Sequence, residues 1–373
     1  MERSRVRRRR VALGALAGLA IAAFAFGAAL GDTPTPEVEI EVASTLPVPR
    51  LVGERIVAGV NGTDVSPALE SAIREGRVAG VVLFADNFPS RAAGRRLIAS
   101  LQGVRRPPAL RDPLLVMIDQ EGGLVKRVGG PPTASAREMG ERGAAFSRDQ
   151  GRRTAANLRE VGVNVDLAPV LDVARPGGTI AATERGFGAS AERVAATAVP
   201  FAVGLRGGGV AATGKHFPGL GAAPENTDFA VQRIGLSKQA LRDVDEAPYR
   251  AFSAAGGDLV MLSTAIYPAL SADPAAFSRA IATGELRSRL GFEGVSITDA
   301  LDSVAVEAFG GPAKAGIAAA RAGSDLLLFT DLSAAERAWR ALAAKLRHGA
   351  LDREEFEAAA QRVLDLRRQL TAR

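Results

Sequence analysis

The sequence predicts an α/β fold, a (β/α)8 barrel of the TIM type, preceded by a hydrophobic N-terminal helix. Three observations predict it. Eight short apolar, β-rich runs alternate with longer amphipathic ones, the pattern of parallel strands joined by helices. The eight units fill about 320 residues, and a closed barrel usually takes about 250 with insertions allowed. Polar and ionisable residues end several of the runs, where such a barrel assembles its site. The competing architecture is an open doubly wound sheet, but no glycine-rich dinucleotide fingerprint follows the first strand.

In chain order, six arginines between Arg3 and Arg10 precede an uncharged run rich in Ala, Leu and Gly, Val11 to Leu30. This is the layout of an export signal or signal anchor, so residues 1–31 are assigned that role. A run of about 20 residues is long enough to span a bilayer, and the arginines would stay on the cytoplasmic side. Gly27, Ala28 and Ala29 would equally suit a cleavage site. Residues 32–50 carry prolines, threonines and acids without helical periodicity and read as a linker.

The barrel domain is placed at 51–373. Its expected strands are 55–60, 78–85, 114–119, 163–170, 210–216, 259–263, 294–299 and 325–329. Helices are expected at 67–75, 148–161, 192–205, 237–254 and 334–347. In the fourth of these Leu241, Val244 and Phe252 recur at roughly helical spacing, while Lys238, Arg242 and Asp245 face solvent.

Composition removes several function classes. The formal charge is +6, yet six arginines against Glu2 supply +5 of it before Val11, so the body is almost neutral. A nucleic-acid groove needs cations spread over one folded face, and none is expected. The chain has no cysteine, which excludes disulfides, iron–sulfur clusters and thiolate zinc sites. With only His216 and His348, a histidine metal centre is not expected either. His348, in an Arg-His-Gly triplet, fits a helix C-terminus. No Gly-x-Ser-x-Gly elbow, P-loop or His-Glu-x-x-His occurs.

What remains is a set of carboxylates and cations around a barrel mouth: Asp119, Asp172, Lys215, His216 and Asp299 at or after strand ends. That set suits glycoside hydrolysis, in which one carboxylate attacks the anomeric carbon and another group protonates the leaving oxygen. Taken alone, Asp299 could as well be a helix N-cap. Arg127 and Arg185 could as well be surface ion pairs.

Five stretches carry a resemblance. IDQEGGLVKR (118–127), VDLAPVLD (165–172), ERGFG (184–188), GKHFPGLG (214–221) and GFEGVSITDAL (291–301) resemble, in order, those of glycoside hydrolase family 3. Within it they are most similar to the single-domain bacterial β-N-acetylglucosaminidases, from about residue 51 to the C-terminus. The resemblance implies a (β/α)8 barrel with Asp299 as nucleophile. It implies Asp119, Arg127, Arg185, Lys215 and His216 as ligands of the sugar hydroxyls. Glu121, Gly122 and Gly123 read as a tight structural turn.

One segment departs from the family pattern, in which an Asp-x-His dyad supplies a histidine acid/base. Here Leu220 stands where the first histidine of the preceding motif would be, Asn226 where the dyad aspartate would be, and Asp228 where the catalytic histidine would be. No histidine lies between His216 and His348. Three readings stay open: Asp228 is the acid/base, protonated through a raised pKa; Glu225 is the acid and Asp228 orients it; or no acid remains.

The expectation is therefore a retaining exo-glycosidase that releases terminal β-linked N-acetylglucosamine from cell-wall glycans. It needs no metal or organic cofactor, works as a monomer outside the membrane, and is held there by the N-terminal helix if that is uncleaved. The alternatives are a catalytically silent envelope-glycan-binding protein and a β-glycoside phosphorylase on the same fold.

Overall fold

A computed structural model describes residues 42–372; the expected N-terminal helix and most of the linker lie outside them. Eight strands form the barrel: β1 Ile56–Gly59, β2 Gly80–Leu83, β3 Leu115–Ile118, β4 Val165–Asp166, β5 Ala211–Phe217, β6 Leu259–Leu262, β7 Val295–Thr298 and β8 Leu327–Phe329. Every neighbouring pair runs parallel, β8 lies against β1, and an Ile297–Leu326 bridge brings β7 against β8. Each strand falls within or within one residue of an expected run. β4 is the shortest, and past it the ladder to β5 continues irregularly around Pro169, which has no N–H to donate, through a parallel Val170–Lys215 bridge.

Alternation along the strands makes two apolar layers. Val57, Val82, Leu115, Met117, Val165, Leu259, Met261, Val295 and Ile297 fill the barrel interior. Their neighbours Ile56, Ala58, Val81, Leu83, Val116, Ile118, Val260 and Leu262 pack outward against the helices. A strand buried on both faces reads as a continuous apolar run, which is why these strands stood out in the sequence.

Two expected boundaries shift. Residues 42–50, assigned to the linker, form the short helices Val42–Thr45 and Val48–Gly53, which bury Ala43, Leu51 and Val52. The helix expected over 237–254 is broken into Lys238–Ala240, a wider turn at Leu241–Asp245, and Ala247–Ala254. Pro248 explains the break, since it removes a donor and its ring crowds the carbonyl one turn back.

The helix Arg353–Ala372 shuts the N-terminal end of the barrel and was not among the expected elements. Val363 and Leu366 join the interior cluster. Fully buried Arg367 donates to the carbonyls of Leu110 and Pro113 at 3.0 Å each, just before β3, and pairs with buried Glu54, just before β1. Arg362 reaches Asp325 at 2.7 Å, ahead of β8. These ties hold three strand starts to one helix. Arg367→Ala leaves Glu54 with Arg106, at 2.9 Å, as its remaining cation. Breaking a buried pair costs about 3–5 kcal/mol, so urea unfolding of Arg367→Ala is expected to show a loss near the lower figure.

Candidate active site

A cavity of about 380 Å³ opens at the C-terminal end of the barrel. It is lined by Asp119, Arg127, Arg185, Lys215, His216, Asp228 and Asp299, with Asn226 and Asp302. Seven of the eight residues singled out in the sequence thus meet in one place. The eighth, Glu225, is exposed on the loop and absent from the lining.

Strand ends position the site. Lys215 and His216 belong to β5, Asp119 directly follows β3, and Asp299 directly follows β7. Buried Lys215 sends its Nζ 2.7 Å from Asp119 Oδ1 and 2.7 Å from Glu121 Oε1. Arg185 donates to both oxygens of Glu121 at 2.8 Å, a two-point guanidinium–carboxylate pair. Arg127 lies 3.8 Å from Asp119 Oδ2. The surface-ion-pair alternative therefore fails for Arg185, which grips a carboxylate inside the barrel mouth.

Glu121 was read as part of a turn, and the turn is real. Gly122 has φ +99°, and a Cβ there would lie 2.3 Å from the Ala134 carbonyl. Yet Glu121 is also the shared counter-ion of Lys215 and Arg185. Burial alone would push its carboxyl pKa up, but the two cations override burial and hold it well below the usual range. Asp166, buried beneath, accepts the Gln120 N–H at 3.0 Å on one oxygen, and burial raises its pKa well above the ordinary value.

Asp172, placed after the fourth strand but given no role, orients His216. Its Oδ2 lies 2.7 Å from His216 Nδ1, and its Oδ1 accepts the N–H groups of His216 at 3.0 Å and Leu220 at 2.7 Å. With Nδ1–H directed at Asp172, Nε2 is left for the cavity. The Lys215–His216 and Phe217–Pro218 peptides are both cis.

Asp299 Oδ1 accepts the N–H of Ala300 at 2.8 Å, and its Oδ2 accepts the hydroxyl of Thr227 at 3.3 Å. It does not cap the following helix, Val304–Glu307, whose N-cap position is Ser303. Thr227 belongs to the departed loop, whose base is pinned: Tyr267 donates to the Gly219 carbonyl at 3.0 Å and Thr179 N–H to that of Ala223 at 2.8 Å. Beyond the pin, Asn226 Nδ2 donates to Asp228 Oδ2 at 2.7 Å, and its Oδ1 accepts the Asp228 N–H at 3.2 Å. Asp228 keeps an exposed edge, yet the protein around it withdraws water and, with the Asp299 charge, raises its pKa. Asn226 was picked out only as a departure from the family pattern and Thr227 not at all, because their roles depend on where the loop folds back.

Comparisons with known proteins decide the family. Residues 50–366 match the profile of the glycosyl hydrolase family 3 N terminal domain. The chain belongs to glycosyl hydrolase family 3. A protein of Arthroderma benhamiae described as an uncharacterized secreted glycosyl hydrolase is 36% identical over 94% of this chain and 99% of its own length. A beta-hexosaminidase of Xylella fastidiosa is 36% identical over 73% of this chain and 82% of its own. Among solved structures, a family 3 beta-N-acetylglucosaminidase from Paenibacillus superposes with TM-score 0.83 at 32% identity. That alignment covers 87% of this family 3 chain and 63% of the longer Paenibacillus chain. A beta-N-acetylhexosaminidase from Beutenbergia cavernae gives 0.79 at 32% identity over 86% of this chain and 98% of its own. Among the described residues no cluster of His, Cys, Asp and Glu could hold a metal ion.

The Glu121 charge gives this family 3 site a pH signature. A depressed pKa contributes stability that is complete above the ordinary value of 4.5 and is lost as pH falls from there through the folded value. Melting temperature is therefore expected to fall as the wild type is acidified below that value. Glu121→Gln should start lower, because Lys215 and Arg185 lose their shared charge, and should show a shallower acid slope in the same thermal scan.

Proposed function

We propose that the protein is an exported, retaining exo-β-N-acetylhexosaminidase in which Asp299 attacks the sugar and Asp228 is the acid/base. The hexosaminidase activity follows from the relatives named above and from the family 3 barrel whose mouth carries the matching residues. In the first step the Asp299 carboxylate attacks the anomeric carbon while Asp228, protonated, gives its proton to the leaving oxygen. In the second, Asp228 takes a proton from water, which displaces Asp299 and restores the starting anomer. Asp119, Arg127, Arg185, Lys215 and His216 hold the sugar hydroxyls by charge-assisted hydrogen bonds. The two-step scheme is a hydrolase; phosphate as acceptor would make it a phosphorylase, and a rate independent of phosphate separates the two.

The observation that carries the choice of acid is the Asn226–Asp228 pair. A histidine acid is oriented by a carboxylate that accepts from its ring N–H. A carboxyl group oriented through an acceptor oxygen needs the opposite partner, a donor, and Asn226 provides one at 2.7 Å, a bond that fixes direction while partly opposing the rise in pKa caused by burial and Asp299. An aspartate at 226 would instead set two like charges side by side. Both members of the dyad have changed together, in the sense that keeps them complementary. Glu225, exposed and outside the cavity, has no such support.

Export rests on the N-terminal arginine cluster and apolar run, and on the likeness to a relative described as secreted. The substrates that fit that location are envelope glycans or their fragments, with the N-terminal helix as a tether if it is retained.

Aryl N-acetylglucosaminide assays with azide test the assignments. Asp299→Asn should lose turnover, and azide should restore it as the glycosyl azide of inverted configuration. Asp228→Asn should lose about a hundredfold to ten-thousandfold, with azide restoring the retained anomer, while Glu225→Gln keeps its rate. Equal activity of all three variants sinks the scheme. The pH profile gives a second check. Asp228 works protonated and its pKa is raised by burial and the Asp299 charge, so the basic limb of kcat/KM should lie above the ordinary aspartate value of 3.8 and vanish in Asp228→Asn.

A further inference from the structure

The body of the chain is almost neutral, but its charge is unevenly placed. Residues 91–111 contain six arginines and no aspartate or glutamate. Internal contacts employ two of them: Arg106 reaches buried Glu54 at 2.9 Å, and Arg91 donates to Glu160 at 3.2 and 2.9 Å. Arg95 and Arg96 have no such use. Both are exposed on the helix Arg91–Gly103, and among the described residues neither makes a hydrogen bond or an ion pair. The helix itself gains nothing from them. Its first turn carries Arg91 and no acid, against the helix dipole, and Arg95 lies one turn on, where a like charge is destabilising. Side chains that cost the helix stability and serve no internal contact point to a partner outside the fold.

Arg95 and Arg96 line a groove of about 530 Å³ between this helix and Ala144–Val161, on the outer wall of the barrel. It shares no lining residue with the cavity at the barrel mouth. Arg159 is the third guanidinium of the groove, and Glu160, already tied to Arg91, is its one carboxylate. The remaining surface is largely apolar: buried Ile98 and Val161, with Ala92 and Ala99. We propose that this groove binds a strand of acidic polysaccharide, with sugar faces on the apolar floor and anionic groups on Arg95, Arg96 and Arg159. A guanidinium presents two parallel donors to a carboxylate or phosphate, and a pyranose ring presents an apolar C–H face. A neutral glycan would leave the arginines unused, and a bare polyanion would leave the floor unused. The choice of a glycan rests on the exported glycosidase reading above: the groove holds the enzyme on an envelope polymer while the barrel mouth does the cutting.

The test titrates the full chain calorimetrically with hexagalacturonate, which carries carboxylates and no N-acetylhexosamine for the barrel mouth, beside maltohexaose and inorganic polyphosphate. Hexagalacturonate should bind and weaken as salt is raised, and uncharged maltohexaose should not bind. Arg95→Gln and Arg96→Gln should each lower the hexagalacturonate affinity by up to about fivefold, and Ala99→Glu, which puts a carboxylate on the floor, should remove binding. All three should keep the wild-type kcat/KM on a small aryl N-acetylglucosaminide. The two glutamine variants should melt no lower than the wild type, because the helix loses like charges. Unchanged affinity in the Arg95→Gln/Arg96→Gln double variant overturns the proposal, and so does a lowered melting temperature, which would give the arginines a role in the fold. Tighter binding of polyphosphate than of hexagalacturonate overturns it in favour of a bare polyanion. Sedimentation on phosphatidylglycerol vesicles without hexagalacturonate binding overturns it in favour of a membrane contact. Hexagalacturonate binding that the variants weaken, in a chain that hydrolyses no aryl hexosaminide, leaves the groove standing and removes the glycosidase reading instead.

Discussion

Lys215 is a buried ammonium on the fifth strand, and its two carboxylate partners, both at 2.7 Å, determine how the barrel mouth is built. An unpaired buried cation is expensive, so the chain must bring anions to it. Asp119 arrives from the end of β3, and Glu121 from the turn two residues later. Glu121 then carries a second cation, Arg185, through a two-point contact. The fifth strand, the loop after β3 two strands away and the 184–188 segment are locked by one charge network. Charges balanced in this way still leave polar edges open to the cavity, because Asp119 and Arg127 keep partial exposure while Glu121 and Lys215 do not.

The strands were legible because burial on both faces gives them uninterrupted apolar runs, and the residues at their ends were legible because a barrel places them at its mouth. Asp299 could be picked out, yet the sequence could not separate a nucleophile from a cap, since both roles use an aspartate after a strand. Packing removes the cap alone: Ser303 takes the cap position, and Asp299 lines the cavity. The roles of Glu121, Asp172 and Thr227 escaped notice for another reason. Each acts on a side chain 44 to 94 positions away, as with Asp172 and His216, where the spacing is 44. Local pattern carries no trace of such pairings. The closing helix Arg353–Ala372 escaped in the same way, because its role lies in where Arg367 and Arg362 reach rather than in its periodicity.

In the proposed scheme the departed loop keeps its function through a change of residue type. An acid/base group needs a proton to give, a pKa suited to its task and a partner that fixes its direction. Asp228 has the pKa shift from limited solvation and from Asp299, and its direction from Asn226. The partner's hydrogen-bonding polarity has to invert when the acid changes from an imidazolium donor to a carboxylate acceptor, and an amide supplies that inversion with little change in size.

The same loop ties two tasks to one short stretch. Asn226 orients Asp228, and Thr227 donates to the free oxygen of Asp299. In the proposed reaction a hydroxyl on the oxygen of Asp299 helps hold the carboxylate in place before substrate enters, but it also competes for the electron pair that must attack. Attack therefore requires Oδ2 to turn from Thr227 toward the anomeric carbon, or Thr227 to withdraw. Since Thr227 lies between Asn226 and Asp228, a withdrawal large enough to free Asp299 would also move the acid. The weak 3.3 Å contact resolves the conflict: it is long enough to yield without displacing the loop. One short stretch of loop thus ties Asp228, through Asn226, to Asp299, through Thr227, which is what the proposed pairing of nucleophile and acid requires.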